Sequence, residues 1–103
     1  MAGGDWKEMF YAAQDGKIDL VRYHLRTGID INYKHPEFLT TALIVSVENG
    51  HTEVVAFLLE NGADPKLKDD FSGKNALEVA KIYQRKELVK IIKPYRFSDN
   101  FCT

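Results

Sequence analysis

The sequence predicts an all-α solenoid of three helix-turn-helix repeats, and three observations carry that prediction. A shift of 34 residues superposes Gly16 on Gly50, Gly28 on Gly62 and Asp30 on Asp64, and brings Val21 and Leu25 onto Val55 and Leu59. The same shift carries Ala42-Leu43 onto Ala76-Leu77, Glu53 onto Glu87 and Val54-Val55 onto Leu88-Val89. Between Thr41 and Lys66, two apolar patterns at helical spacing (Leu43, Ile44, Val47; then Val54, Val55, Phe57, Leu58, Leu59) flank Asn49-Gly50-His51. A hairpin this short cannot bury its apolar stripe alone, so a recurring one implies stacked neighbours sharing a continuous core.

Taken in order, Asp5-Trp6-Lys7-Glu8 reads as a D-x-x-E capping box, with both carboxylates at the positive end of a helix. Trp6, Met9, Phe10 and Ala13 then form one helical stripe, ended by Gly16. Ile18, Val21 and Leu25 mark a second helix, stopped by Gly28. Ile29 to Tyr33 leaves as an extended segment, and Lys34 to Thr40 projects as a loop. Thr41 caps the next helix, Gly50 ends it by entering the left-handed region, and Gly62 repeats that role after Leu59. Pro65 to Gly73 is a second projecting loop. Asn75-Ala76-Leu77-Glu78 is another capping box, with Leu77, Val79 and Ala80 inward and Leu88, Val89, Ile91 and Ile92 lining the last helix. Lys93-Pro94 is expected to stop it, leaving residues 95–103 frayed or lightly packed. Gln84 stands where Gly16 and Gly50 do, so the third turn predicts a strained non-glycine residue.

Thr41-Ala42-Leu43, Asn49-Gly50-His51, Val54-Val55, Leu58-Leu59 and Gly62-Ala63-Asp64 closely resemble the ankyrin repeat pattern "TPLH…A…GH…VV..LL..GAD". The resemblance covers about residues 5 to 93 and sets repeats near 5–34, 39–68 and 73–94, with a tail at 95–103. It implies an ankyrin-repeat solenoid whose loops form β-hairpin-like fingers standing off the helices. It also gives His51 a structural role, the imidazole hydrogen-bonding neighbouring backbone. Three departures stand out. The first repeat lacks its leading turn, both inter-repeat loops are one residue longer than the common pattern, and Leu39 replaces the finger glycine that Gly73 keeps. Leu39 therefore puts the shape of the first finger's turn in question. Leu25 to Asn32 also resembles the L-x₄-D-[IV]-N pattern hydroxylated on asparagine in some animal ankyrin proteins; the plainer reading is that Asn32 satisfies backbone groups in its turn.

Composition excludes several classes. With 103 residues, 45% hydrophobic and 28% charged, the chain is one ordinary folded domain. No apolar run approaches the ~18 residues that would cross a bilayer, and the N-terminus has no hydrophobic signal core. Cys102 is the only cysteine, which rules out an internal disulfide framework and fits a reducing, intracellular, cytoplasmic or nuclear setting. His24, His35, His51 and Cys102 show no metal-ligand spacing such as H-x₃-H or C-x₂-C. There is no nucleophile elbow, no H-E-x-x-H and no phosphate loop, so no catalytic residue, cofactor or metal site is expected.

Charge is uneven. Net charge is −1, yet Lys74 to Arg96 carries +5 and residues 1–73 carry −5. The basic third repeat fits two readings: a footprint for nucleic acid, or the polar coat that a terminal repeat needs on its outer face. The coat is favoured, because no aromatic–basic interleaving accompanies Lys81, Arg85, Lys86, Lys90 and Lys93. By family resemblance, partner contacts fall on the finger tips and the exposed side of each repeat's first helix. Carried over by position, these are Gln14, Asp15, Phe38, Thr40, Glu48, Asn49, Phe71, Lys74, Ile82 and Tyr83. The apolar members of that set suit interface anchors, with the polar ones as a rim. The competing reading folds Phe38 and Phe71 down between adjacent fingers to pack the stack. The expected function is protein–protein recognition by a monomeric adaptor or steric inhibitor, with a nucleic-acid-associated regulator as the alternative.

Overall fold

Three helix pairs recur in the computed structural model, which describes residues 5–101, with side chains described for residues 6–95. They are α1 (Asp5–Asp15) with α2 (Ile18–Arg26), α3 (Ala42–Glu48) with α4 (Thr52–Glu60), and α5 (Ala76–Ile82) with α6 (Lys86–Phe101). Helices α1, α3 and α5 pack side by side as one layer, and α2, α4 and α6 form the layer behind them. The core runs unbroken between the layers from Met9, Phe10 and Val21 through Ile44, Val47, Val55 and Leu58 to Leu77, Leu88 and Ile92.

The helix starts follow the expected capping chemistry. Thr41 Oγ1 accepts from the Ile44 amide at 3.3 Å. Asn75 and Glu78 form a complete capping box, each side chain accepting from the other's backbone amide at 2.9 and 3.0 Å. The Asp5 side chain lies outside the described set, so the first box is not on view. Its partner Glu8 instead lies 3.4 Å from His24 Nε2, tying α1 to α2.

Each inner turn closes in one way. The amides of Lys17, His51 and Arg85 donate to the carbonyls of Ala12, Ser46 and Ala80, five residues back, while Gly16, Gly50 and Gln84 sit at positive φ of 78°, 73° and 58°. Gln84 thus holds the left-handed turn without glycine. Gln84→Gly should raise the urea midpoint, by up to about 1 kcal/mol of stability. A lowered midpoint would show that the glutamine side chain stabilises this exposed turn more than its backbone strain costs.

Leu39 behaves like Gln84. Its φ is 58° against 73° at Gly73, and its amide reaches the His35 carbonyl at 2.7 Å just as Gly73 reaches Asp69. The first finger's turn therefore keeps the family shape despite its leucine. The fingers are short antiparallel bridges, Lys34 with Thr41 and Lys68 with Asn75. They are joined by an Asp70 amide to Leu39 carbonyl bond of 2.9 Å and a Lys34–Asp70 ion pair of 2.8 Å.

One expectation is overturned. α6 continues through Pro94 to Phe101 instead of stopping at Lys93-Pro94. A proline removes one ladder hydrogen bond and crowds the carbonyl four residues back, which can kink a helix without ending it, and Tyr95 just beyond it packs partly buried against the core. The remainder of the tail, from residue 96, lies outside the described side chains.

Candidate functional site

The same offset that relates the repeats also builds their staples. His51 Nε2 lies 2.8 Å from the Gln14 carbonyl. One repeat on, Arg85 Nη2 donates to the Glu48 carbonyl at 2.7 Å. These bonds fix the edges of α1 and α3 and so set where the Gln14 and Glu48 side chains emerge. His35 and Asp69 form a second pair. His35 Nδ1 accepts from the amides of Glu37 and Phe38 at 3.0 and 3.2 Å, and Asp69 Oδ1 accepts from Phe71 and Ser72 at 2.6 and 3.2 Å. An imidazole in the first finger does what a carboxylate does in the second.

Between these supports lies a cavity of about 270 Å³, lined by Phe10, Gln14, Phe38, Thr40, Val45, Glu48, Asp69 and Phe71. Five of the ten sequence candidates meet there: Gln14, Phe38, Thr40, Glu48 and Phe71. The other five do not line it. Asp15 is exposed at the end of α1; Asn49 caps α3, its Nδ2 donating to the Val45 carbonyl at 2.9 Å. Lys74 is half-buried, its carbonyl holding the Asp69 amide. Ile82 and Tyr83 are exposed on the third repeat, where the Arg85 guanidinium lies 5.8 Å from the Tyr83 ring centroid.

The two phenylalanines part company. Under the 34-residue shift Phe38 aligns with Ser72 and Phe71 with Glu37, so the rings leave their turns at different positions. Phe38 stacks on His35 at 4.3 Å and lies 5.9 Å from Phe10, keeping 48% exposure. Phe71 is 87% exposed and makes no ring contact among the described residues. Packing holds Phe38 in part and leaves Phe71 free.

Thr40, expected as an exposed rim residue, is buried, because its carbonyl is drawn in by the His35 amide at 2.8 Å. Its Oγ1 has no hydrogen-bond partner. Burial pushes the Glu48 carboxyl above its ordinary value, and the Asp69 carboxylate beside it adds to the rise. A raised value means that protonated Glu48 favours the fold below the ordinary carboxylate range, and that this contribution fades as pH climbs through the raised value. The cavity therefore concentrates negative charge at a cost to the fold.

Sequence reasoning missed Asp69 and His35. Asp69 was legible as the head of an Asx turn in Asp69-Asp70-Phe71-Ser72-Gly73. His35 carried no such signal except its alignment with Asp69. Among the described residues no group of three or more His, Asp or Glu side chains is placed to hold a metal, and no helix is long and apolar enough to cross a membrane.

A stack of helix hairpins with a furrow between fingers and inner helices defines a repeat-built binding scaffold. The family described as Ankyrin repeats (3 copies) matches residues 9–100, and the chain belongs to the ankyrin repeat family, whose domains are generally non-catalytic protein-interaction modules. Among its relatives, Protein HOS4 of Saccharomyces cerevisiae is 44% identical over 77 residues, 75% of this chain and 7% of that protein. A putative ankyrin repeat protein of Rickettsia felis is 42% identical over 72 residues, 60% of this chain and 49% of that protein. Phosphocholine transferase AnkX of Legionella pneumophila is 34% identical over 90 residues, 84% of this chain and 9% of that protein. The chain thus spans half or less of the length of these relatives. What they share with it is the repeat region.

Proposed function

We propose that the chain is a non-catalytic protein-recognition module, a small monomeric adaptor or steric inhibitor that engages one partner protein through its concave face and fingers. The observation that carries this reading is the furrow itself, whose lining includes a nearly free Phe71, Phe38 and the carboxylates Glu48 and Asp69. A large apolar ring left in solvent at 87% exposure gains most from a partner that covers it. Ile82 and Tyr83 extend the same side of the stack onto the third repeat. The staples and capped fingers hold the surface rigid, so little conformational freedom is lost on binding.

The basic third repeat supports a second reading, association with nucleic acid. A cavity of about 500 Å³ there is lined by Lys81, Gln84, Arg85, Lys86 and Val89. The second repeat has a counterpart at Gly16, Gly50, His51 and Thr52. Its presence in both repeats marks it as a product of the repeat geometry, which is why protein recognition is preferred.

Capture of the native partner from its own cells separates the two. Phe71→Ala with Tyr83→Ala should weaken capture thirtyfold or more, the consequence of losing about 2 kcal/mol at an aromatic anchor, with helical circular dichroism unchanged. Lys86→Gln with Lys90→Gln should weaken it far less. The reverse order, together with a steep salt dependence of binding to random DNA, would favour the nucleic-acid reading.

A further inference from the structure

The furrow cavity has an unusual combination of features for a protein-binding face. At about 270 Å³ it falls below the roughly 300–1,000 Å³ of small-molecule pockets, and its size suits a single side chain. It is lined by two carboxylates, Glu48 and Asp69, and among the described residues neither is paired with a cation. The ion pairs among the described residues join Arg22 to Asp19, His24 to Glu8 and Lys34 to Asp70. Asp69 commits Oδ1 to the two finger amides, and Oδ2 has no hydrogen-bond donor among the described residues. Two exposed aromatic rings, Phe38 and Phe71, also line the cavity.

Each feature asks for the same complement. Two crowded carboxylates want a positive charge, and exposed aromatic faces attract a planar cation. A guanidinium answers both at once, presenting five donors in one plane while stacking on a ring. An ammonium offers charge without the plane. We propose that this cavity holds an arginine side chain presented by the partner protein, with Glu48 and Asp69 as its counter-charges and Phe71 closing over the guanidinium face. The assignment rests on the protein-recognition reading above and specifies what that recognition selects.

The test uses the full chain and defined probes. Isotope-labelled protein is titrated with N-acetyl-arginine amide, and with the isosteric but uncharged N-acetyl-citrulline amide, while backbone amide shifts are followed. Saturable shifts centred on Thr40, Glu48, Asp69 and Phe71 are expected with arginine and absent with citrulline. Glu48→Gln should weaken that binding tenfold or more, while Glu53→Gln, on the exposed face of α4, should leave it unchanged. Equal response to both probes, no saturable response, or a response centred elsewhere would overturn the assignment. Equal binding of N-acetyl-lysine amide would overturn the choice of guanidinium. A random heptapeptide library selected on the same protein separates this failure from failure of the broader reading. Peptides that carry arginine at a fixed position and lose binding in Glu48→Gln support the proposal. Peptides without a basic residue that depend on Phe71 overturn it and leave protein recognition standing. If no peptide is enriched and arginine amide gives no shifts, both readings fall.

Discussion

His35→Ala is expected to destabilise the protein by about 2–4 kcal/mol, a large fraction of what a domain of this size has to lose. His35 is 1% exposed, packed against Trp6 at 5.1 Å, Phe10 at 4.7 Å and Phe38 at 4.3 Å between ring centroids. Its Nδ1 accepts two finger amides, which requires the neutral tautomer with the proton on Nε2. Truncation removes both the cap and the ring, leaving the Glu37 and Phe38 amides without their acceptor and opening a void beside Phe10. His35→Asn restores an acceptor near Nδ1 without the ring, so it should recover roughly 1 kcal/mol of the loss. Urea unfolding of the three proteins reads the outcome. If Asn and Ala are equally harmful, ring packing alone holds the finger. If Ala costs less than 1 kcal/mol, the imidazole is not the keystone of the first finger.

This position also shows where the sequence is legible and where it is not. Periodicity located the six helices of the described residues, because apolar spacing, capping residues and positive-φ glycines are local signals that stacking then reinforces. Thr41 and Asn75 announced their caps, and the staple role of His51 followed from its match to the family. Arg85 did not announce itself in that role, because a guanidinium reaching back to Glu48 shares no residue type with the imidazole it replaces. Likewise Leu39 and Gln84 read as departures from glycine, yet the hydrogen bonds around them impose the left-handed turn regardless. The furrow was half legible. Positional carry-over from the family brought Gln14, Phe38, Thr40, Glu48 and Phe71 together, whereas Asp69 joined only through the fold. Its proximity to Glu48 is a contact between a finger and an inner helix, which no spacing within the chain encodes. Pro94 misled because the missing N–H and the crowded carbonyl of a proline can kink a helix without ending it, and the packing of Tyr95 is a tertiary contact outside that local rule.

The second large effect concerns Gly16, whose substitution by alanine is expected to cost about 3 kcal/mol. Two penalties act there together. At φ 78° any Cβ carries the left-handed strain, about 1–2 kcal/mol. In addition, a Cβ built on Gly16 would lie 2.6 Å from His51 Nδ1 and 2.8 Å from Cε1, inside the ring that staples the second repeat to the first. The ring must move, and moving it sacrifices the 2.8 Å bond to the Gln14 carbonyl. Gly28 and Gly50 supply internal controls. Gly28, at φ 100°, has nothing within 4 Å of its added Cβ, so Gly28→Ala should show backbone strain alone, about 2 kcal/mol at this angle further from the left-handed region. Gly50, at φ 73°, would meet Arg85 Nη1 at 3.0 Å, but that is the far end of a long, flexible side chain that can withdraw. Gly50→Ala should therefore cost less than Gly16→Ala, whose φ is nearly the same. The staple predicts more than an order of costs. Pairing Gly16→Ala with His51→Ala should cost clearly less than the sum of the two single changes, because the clash and the hydrogen bond vanish together. Strict additivity in that cycle would mean that Gly16 is required for its backbone angle alone.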